Sequence, residues 1–170
     1  VCLFGPESSG KPTLANELAR HFDTVCAPEY GRTYTDAFGT DCTVEDLRRI
    51  ARGQRAAMTA VARQANRLLI ADTDPLLTAL WCAMLTGARD PRLDAAEDLC
   101  DLYLLTDVDM PWADDGTRYF PDPVRRQAFM ALCREELERS GARYVLLRGD
   151  RPTRRAAAVA RCAPVVARCR

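Results

Sequence analysis

Short apolar runs alternate with longer amphipathic stretches along the whole chain. Five runs of about four mostly apolar residues are typical of buried strands: 1–4, 24–27, 68–71, 102–105 and 144–147. Between them, apolar residues recur at helical spacing, which predicts helices over 11–22, 29–39, 43–65, 75–86 and 90–99, around 129–137, and from 151 onward. Apolar strands that alternate with helices predict an α/β fold, with a parallel five-stranded sheet between two layers of helices.

Residues that favour helix ends define several of these boundaries. Thr43 precedes an acidic first turn and Asp74 precedes a proline, so both are predicted N-caps. Asp150 has the same predicted role before the last helix. Gly87 is predicted to end the helix that follows Asp74, and Pro164 to end the last helix.

Composition limits the classes of partner. The 24 basic residues balance the 24 acidic ones, so no net field attracts nucleic acid or an anionic membrane, and a small molecule is the expected partner. No apolar run is long enough to span a membrane and no signal peptide is visible, which predicts a cytoplasmic protein. The eight cysteines lack a CxxC pair and are expected to be free thiols.

The length and the start of the chain suggest how it is organised. At 170 residues we expect a single domain over 1–170. The chain begins without methionine and inside a predicted strand, so we expect it to be a piece of a longer polypeptide.

The single lysine, Lys11, closes a glycine-bracketed loop between the first strand and the first helix. Backbone N–H groups of such a loop surround the phosphates of a nucleotide, and the lysine contacts the phosphoryl group that is transferred. The probability that the one lysine is preceded by glycine at both of these positions, Gly5 and Gly10, by chance is about 0.005. A strand-to-helix turn that merely uses glycine is the alternative. The predicted ATP contacts are Gly5, Glu7, Ser8, Ser9, Gly10 and Lys11.

Pro12 stands where this motif takes Ser or Thr. The usual residue supplies a hydroxyl ligand for Mg²⁺ and a backbone N–H for the phosphates, and proline supplies neither. Thr13 has a hydroxyl, but it is rotated by about 100° around the helix and is a weak candidate metal ligand. Proline also disfavours the helical conformation of Lys11. A helical Lys11 would therefore indicate that the first turn accommodates Pro12, whereas an extended one would favour an impaired site.

Three acidic residues follow predicted strands, where ligands of parallel sheets bind. Glu29 could accept a substrate hydroxyl proton, bind substrate hydroxyls, or simply favour a helix N-terminus. Asp72 is a candidate Mg²⁺ ligand, directly or through water. Asp74 is predicted as an N-cap that is also close enough to serve the site.

The connector 109–118 and the helix after it carry candidate lid residues. Arg118, Arg125 and Arg126 could neutralise charge on a transferred phosphoryl group, although a solvated arginine-rich helix explains the last two equally well. Trp112 is predicted to stack on a planar ring, and Trp81, on an apolar helical face, to belong to the core.

Together these pieces resemble the ribosylnicotinamide kinase domain found at the C-terminal end of NadR-type bifunctional proteins. The matching segments occur in the family's order: 5–11 with Thr13 and Leu14, Glu29-Tyr30-Gly31-Arg32, Asp72-Thr73-Asp74, and the tryptophan-led acidic segment 112–118. The resemblance implies a three-layer P-loop kinase fold with a helical lid. The implied reaction uses ATP and Mg²⁺ to phosphorylate the ribose 5′-hydroxyl of nicotinamide riboside, giving nicotinamide mononucleotide.

The same resemblance implies roles for individual residues. Lys11 and its loop would hold ATP, Asp72 would support Mg²⁺, and Arg118 would belong to the lid. The riboside or catalytic side would comprise Glu29, Tyr30 and Arg32, with Asp74 and Trp112 as further substrate contacts. The family's upstream neighbour is an adenylyltransferase domain. The departure at Pro12 leaves one alternative, a nucleotide-binding regulatory module with little turnover. A deoxynucleoside or nucleotide kinase is a second alternative, because it would differ mainly in the substrate pocket.

Overall fold

Five parallel strands form the sheet in the described part of the chain. The computed structural model describes residues 1–94, 99–113, 119 and 121–168. The strands are β1 Cys2–Phe4, β2 Cys26–Ala27, β3 Ile70–Asp72, β4 Tyr103–Thr106 and β5 Tyr144–Leu147. Their order in the sheet is β2-β3-β1-β4-β5, with every neighbouring pair parallel. The predicted parallel five-stranded sheet is confirmed.

Seven helices accompany the sheet within the described residues. They are α1 Lys11–His21, α2 Tyr30–Phe38, α3 Val44–Ala62, α4 Pro75–Thr86, α5 Pro91–Asp94, α6 Pro123–Arg139 and α7 Arg151–Arg168. The helix predicted over 90–99 is described only as α5, since 95–98 lie outside the described residues and Leu99 is not helical. Within the part of the chain that the structure describes, no helix combines the length and apolarity needed to cross a membrane.

Alternation along β1 distributes its side chains to the two faces of the sheet. Leu3 packs with α1 and α7 in one apolar cluster, where Leu18 and Ala158 are fully buried. Cys2 and Phe4 point to the other face and join a second cluster with residues of α4 and α6. Both faces are therefore covered, as the continuous apolar strand patterns predict. The three-layer P-loop kinase architecture is confirmed.

The predicted caps are correct at four of five positions. Thr43 forms a reciprocal capping box with Asp46, and Asp74 accepts a hydrogen bond from the first turn of α4. Gly87 ends α4 in the left-handed conformation, and Asp150 accepts from the backbone N–H of Thr153 at 3.0 Å.

The prediction that Pro164 ends the last helix is wrong. The helix α7 continues through Pro164 to Arg168. Proline in a helix interior costs about 3 kcal/mol because it removes one hydrogen bond and crowds the preceding turn. Here Pro164 is exposed, while Cys162 and Val165 on either side are buried against the sheet. We infer that this packing offsets the local cost.

Candidate functional site

The loop 5–10 connects β1 to α1 at the carboxyl edge of the sheet. Gly5 has φ +128°, and a Cβ there would lie 2.7 Å from the Thr106 carbonyl oxygen, so only glycine fits. The buried Ser9 hydroxyl donates to the Pro6 carbonyl at 2.6 Å and lies 2.7 Å from the Thr106 hydroxyl. Gly10, with φ +82°, is the N-cap of α1. The loop is therefore fixed both by its own residues and by β4.

Lys11 is the first residue of α1, and its ammonium lies inside the loop. Its Nζ donates to the carbonyl oxygens of Gly5 at 2.9 Å and Pro6 at 2.7 Å. Lys11 is helical, which indicates that the first turn accommodates Pro12. The first N–H groups of a helix have no partner within the helix, so Pro12 removes no helical bond. It still removes one N–H and one hydroxyl from the rim of the loop.

A cavity of about 210 Å³ opens beside this loop. Its lining includes eight of the residues that the sequence singles out: Glu7, Ser8, Ser9, Gly10, Lys11, Thr13, Glu29 and Arg32. These residues come from the β1–α1 loop, the start of α1 and the region where β2 gives way to α2. The fold thus brings together segments that are about twenty residues apart in sequence, as expected for the carboxyl edge of a parallel sheet.

Asp72 ends β3 next to this cavity and is 4% exposed. Burial, together with the negative charge of Glu29, raises the pKa of Asp72 to about 7, while Lys11 and Arg32 act in the opposite direction. Its Oδ1 is buried and accepts no hydrogen bond from the described residues. An unpaired carboxylate oxygen beside a second carboxylate is chemically suited to a divalent cation.

Gln54 of α3 joins two turns that border the cavity, a role that the sequence analysis missed. Its Oε1 accepts from the backbone N–H of Tyr30 at 2.7 Å. Its Nε2 donates to the carbonyl oxygens of Pro28 at 3.2 Å and Thr73 at 3.3 Å. The sequence does contain a signal for this role. Gln54 is a polar residue on the apolar stripe of α3, seven positions after Leu47, and a polar side chain on a buried face needs hydrogen-bond partners.

Part of the cavity lining is aromatic. The rings of Trp81 and Tyr119 lie 5.5 Å apart at 44°, and Trp81 also packs on Phe129 at 4.4 Å. Tyr119 donates its hydroxyl to the Thr40 carbonyl at 2.5 Å, and burial raises its pKa, so the phenol stays neutral. The expectation that Trp81 belongs to the core is therefore incomplete, because it packs on the core and also lines the cavity. No local sequence pattern marks Tyr119 as a site residue.

Three predicted substrate contacts, Asp74, Tyr30 and Trp112, lie outside this lining. Asp74 accepts from the backbone N–H of Leu77 at 3.2 Å and from the Tyr103 hydroxyl at 2.6 Å, so the structure supports only its N-cap role. The Asp74 side chain does not line the cavity, because the chain turns at this residue to begin α4. The Tyr30 ring packs over Gly53, where a Cβ would lie 2.2 Å from the ring, and it lines a neighbouring surface depression instead.

The remaining predicted residues belong to the connector and to α6. Trp112 is half-buried and does not line the cavity, but the backbone N–H of the next residue, Ala113, donates to the Ser8 hydroxyl at 2.9 Å. Arg125 is exposed on α6 outside the lining, and Arg126 is buried in the same helix. Arg118 lies outside the described residues, so its predicted lid role stays a prediction.

Comparison with known proteins identifies the family. The family model described as an AAA domain matches residues 1–154. Over 151 residues the chain is 34% identical to the trifunctional NAD biosynthesis/regulator protein NadR of Salmonella typhimurium and to that of Escherichia coli. The match covers 85% of this chain and 37% of each relative, so the chain spans little more than a third of their length.

Solved structures of NadR share the fold. A NadR protein in complex with NR superposes with a TM-score of 0.83 at 23% identity, over 98% of this chain and 51% of that one. A NadR protein in complex with NAD and AMP-PNP superposes with a TM-score of 0.77 at the same identity, covering 98% and 49%. The family model and the sequence relatives show that the chain is a NadR-type domain that belongs to the AAA-domain family of P-loop proteins.

Proposed function

We propose that this domain transfers the γ-phosphoryl group of ATP to the ribose 5′-hydroxyl of nicotinamide riboside, giving nicotinamide mononucleotide. One observation carries the proposal. One cavity is lined by the phosphate loop with Lys11, by an aromatic wall of Trp81 and Tyr119, and by Glu29 and Arg32. That combination of groups matches a substrate with a planar ring, a ribose and a hydroxyl to be phosphorylated.

The phosphate loop is the proposed ATP site. Backbone N–H groups of the loop and the N-terminus of α1 favour negative charge, and Lys11 supplies the one ammonium. In the structure this ammonium bonds the carbonyl oxygens of Gly5 and Pro6. Phosphate oxygens would replace these neutral acceptors with charged ones, which form stronger hydrogen bonds. A NadR structure that contains AMP-PNP, an ATP analogue, supports this assignment.

Asp72, which lies near Glu29, is the proposed support for Mg²⁺. Asp72 Oδ1 is buried and accepts no hydrogen bond from the described residues, and burial together with the charge of Glu29 raises the pKa of Asp72. Both observations fit a cation that would compensate the two carboxylates. When bound, Mg²⁺ would neutralise charge on the phosphates of ATP. Pro12 withholds the usual hydroxyl ligand, and Thr13 at the cavity rim is a weaker substitute.

The transfer step needs a base for the hydroxyl proton and cationic groups for the phosphoryl charge. The riboside 5′-oxygen forms a bond to the γ-phosphorus, while the bond from that phosphorus to the β,γ-bridging oxygen breaks and ADP leaves. Glu29 accepts the 5′-hydroxyl proton. Lys11 and Arg32 balance the charge on the transferred phosphoryl group, since both line the cavity with Glu29. We propose Arg118 as a further cation supplied from the lid.

The aromatic wall sets the proposed preference for the ring. A nicotinamide ring is planar and cationic in the riboside, and aromatic faces attract such rings by stacking and by cation–π interaction, worth about 0.5–2 kcal/mol. Trp81 is held by Phe129, and Tyr119 by Thr40, so both faces are positioned before a ligand binds. A neutral pyrimidine nucleoside would stack on the aromatic wall but would lack the cation–π attraction.

Parallel kinetics test the proposal. The protein is assayed for Mg²⁺-dependent ADP formation with nicotinamide riboside, thymidine or cytidine, and the product is identified by mass spectrometry. We expect nicotinamide mononucleotide and the highest kcat/KM with nicotinamide riboside. Trp81→Leu should raise KM for that riboside by about tenfold and affect thymidine less. Faster turnover of thymidine or cytidine would assign another nucleoside kinase.

A second candidate function is a nucleotide-binding regulatory module with weak turnover. The observation that favours it is Pro12, which leaves the first turn of α1 without the hydroxyl and the N–H that the motif uses. Titration of ATP with and without Mg²⁺ separates the two. Tight binding that Mg²⁺ does not improve, together with no product from any riboside, would favour the regulatory module.

For the longer protein we propose the organisation of its relatives. Residues 1–170 would form one kinase domain that follows an adenylyltransferase domain in a cytoplasmic enzyme. The match to 37% of each NadR relative supports a longer chain. Its proposed partners are small molecules, ATP and a riboside, rather than nucleic acid or membrane.

A further inference from the structure

A second cluster of chemically reactive side chains lies in the layer between the sheet and α4. Cys2 of β1, Asp74 at the N-terminus of α4 and Cys100 before β4 place two thiol sulfurs and a carboxylate oxygen within 4.8 Å of one another. Cys2 and Asp74 are buried, and Cys100 is half-buried. None of the three lines the nucleotide cavity, so the cluster has no part in the reaction proposed above.

Hydrogen bonds hold the carboxylate and one thiol residue in place. The Tyr103 hydroxyl donates to Asp74 Oδ2 at 2.6 Å and accepts from the backbone N–H of Cys100 at 3.2 Å. Asp74 Oδ1 accepts from the backbone N–H of Leu77 at 3.2 Å. Each carboxylate oxygen keeps a further lone pair. Such outer hydrogen bonds orient ligands in metal sites, where a metal-bound carboxylate is itself hydrogen-bonded.

The charges in the cluster favour a cation. Asp74 is 2% exposed and makes no ion pair with any residue that the structure describes, and the ammonium of Val1 compensates its charge only in part. Burial raises the pKa of Asp74 accordingly. A hydrogen bond from Cys2 lowers the pKa of the Cys100 thiol, which makes Cys100 the easier of the two thiols to ionise.

We propose that Cys2, Asp74 and Cys100 form a binding site for a thiophilic metal ion of the Zn²⁺ class. Two thiolates and one carboxylate are ligands that Zn²⁺ accepts, whereas Mg²⁺ and Ca²⁺ prefer oxygen alone. Tetrahedral Zn²⁺ places its ligand atoms about 3.5–3.8 Å apart, so the cluster closes by roughly 1 Å on binding. A fourth position stays open for water.

Binding has a defined proton balance. Each thiol binds the ion as a thiolate and loses its proton on binding. One divalent ion therefore replaces two thiol protons and joins one carboxylate, which leaves the site with a net charge of about −1. The N-terminus of α4 lies beside Asp74 and partly offsets that charge. A metal ion can reach the cluster from the surface by a short path, because Asp74 and Cys100 line two surface depressions that are both bordered by Met58.

Cobalt titration tests the site on the whole chain. The protein is reduced and desalted, and Co²⁺ serves as the probe because thiolate-bound Co²⁺ has a charge-transfer band and tetrahedral Co²⁺ has strong visible bands. We expect one Co²⁺ per chain, release of about two protons, and displacement of the bands by Zn²⁺. Zn²⁺ should also raise Tm.

Three variants locate the ligands. Cys100→Ser should weaken Co²⁺ binding by at least about tenfold and remove most of the charge-transfer band. Asp74→Asn keeps an N-cap residue but removes the negative charge, and should weaken binding while leaving the thiolate band partly intact. Cys26→Ser is the matched control, since Cys26 is half-buried like Cys100 but lies outside the cluster, and it should bind Co²⁺ as the parent protein does. Circular dichroism establishes that each variant is folded.

Three outcomes would overturn the proposal. These are the absence of a thiolate–cobalt band in the reduced parent protein, an unchanged band in Cys100→Ser, and equal loss of the band in Cys26→Ser. A Cys2–Cys100 disulfide that forms under diamide, in a protein that takes up no Co²⁺ when reduced, would instead identify the cluster as a redox pair.

Discussion

The backbone N–H of Tyr119 donates a 3.0 Å hydrogen bond to the carboxylate of Glu7, 112 residues earlier in the chain. Glu7 belongs to the phosphate loop, and Tyr119 forms one side of the aromatic wall of the cavity. A second bond, from Ala113 to the Ser8 hydroxyl, joins the same two segments. The loop that would hold ATP therefore also positions a ring that would hold the riboside.

Glu7→Ala should weaken riboside binding more than ATP binding. It leaves the Tyr119 N–H without its charged acceptor, and such bonds contribute about 1.5–3 kcal/mol, so KM for the riboside should rise roughly tenfold. ATP affinity, measured by titration, should change by less than about threefold, because the loop binds phosphates through its backbone. Glu45→Ala, which removes exposed ion pairs on α3, is the control and should leave both constants unchanged. An unaltered riboside KM in Glu7→Ala would contradict the coupling.

Asp72→Asn should stabilise the protein at alkaline pH and not at acidic pH. Folding raises the pKa of Asp72 to about 7, so the folded state binds this proton more tightly than the unfolded state. The stability that protonation contributes is complete below about pH 4 and is lost as the pH rises through 7.

Urea unfolding of Asp72→Asn and of the parent protein from pH 4 to pH 8, without divalent cations, measures this difference. A shift of about three pKa units corresponds to about 4 kcal/mol. The free energy of unfolding of the variant minus that of the parent protein should therefore rise by up to that amount between pH 4 and pH 8. Mg²⁺ with a nucleotide should reduce the gain, because the cation would compensate the parent carboxylate. A difference that does not vary with pH would show that Asp72 is not the buried titrating group.

Lys11→Met should abolish most turnover while the fold is kept. The ammonium is buried in the loop and bonds Gly5 and Pro6, so its removal leaves two carbonyl oxygens that water can reach from the cavity. Loss of one donor to a transferred phosphoryl group costs about 10²–10³ in kcat. Arg20→Met, in the last turn of the same helix and exposed, is the control and should keep parent activity. Parent-like kcat in Lys11→Met would exclude the loop from the reaction.

Local sequence signals predicted the fold well because each one reflects a single structural requirement. The glycine at position 5 lies where a side chain would meet the Thr106 carbonyl, and the apolar run of β1 needs helices on both faces. Pro164 was misjudged because helix propensity is weaker than the packing of Cys162 and Val165. Such packing depends on residues far away in sequence, which periodicity cannot identify.

The candidate site was predicted where its residues border strand ends and missed where they come from a helix interior or from the connector before α6. Glu29 and Lys11 follow strands and meet in the cavity, as a parallel sheet requires. Asp74 also follows a strand, but one reversal of the chain turns its carboxylate toward Tyr103. Tyr119 reaches the cavity across a long connector, whose path no local pattern defines.

Gln54→Leu should destabilise the protein even though it restores an apolar residue to the stripe of α3. The change leaves the backbone N–H of Tyr30 and the carbonyl oxygens of Pro28 and Thr73 without their partner. Each unsatisfied buried group costs about 1–3 kcal/mol, so a loss of roughly 3 kcal/mol is expected in urea unfolding. Gln64→Leu, near the exposed end of α3, is the control and should change stability by less than about 0.5 kcal/mol. An equally small loss in Gln54→Leu would mean that water replaces all three bonds.

Pro12→Ser should raise Mg²⁺-dependent turnover without altering the fold. Lys11 is already helical before Pro12, and Pro12 lies in the first turn of α1, so serine fits the same backbone. It adds a hydroxyl for Mg²⁺ and an N–H for the phosphates, and one such donor is worth up to about 10²-fold in rate. Pro12→Ala adds only the N–H and separates the two contributions. We expect Pro12→Ala to improve ATP affinity with little change in Mg²⁺ dependence, and Pro12→Ser to lower the Mg²⁺ concentration that gives half-maximal rate. If both variants turn over at the parent rate, Pro12 does not limit the site, and the metal is held without a residue at this position.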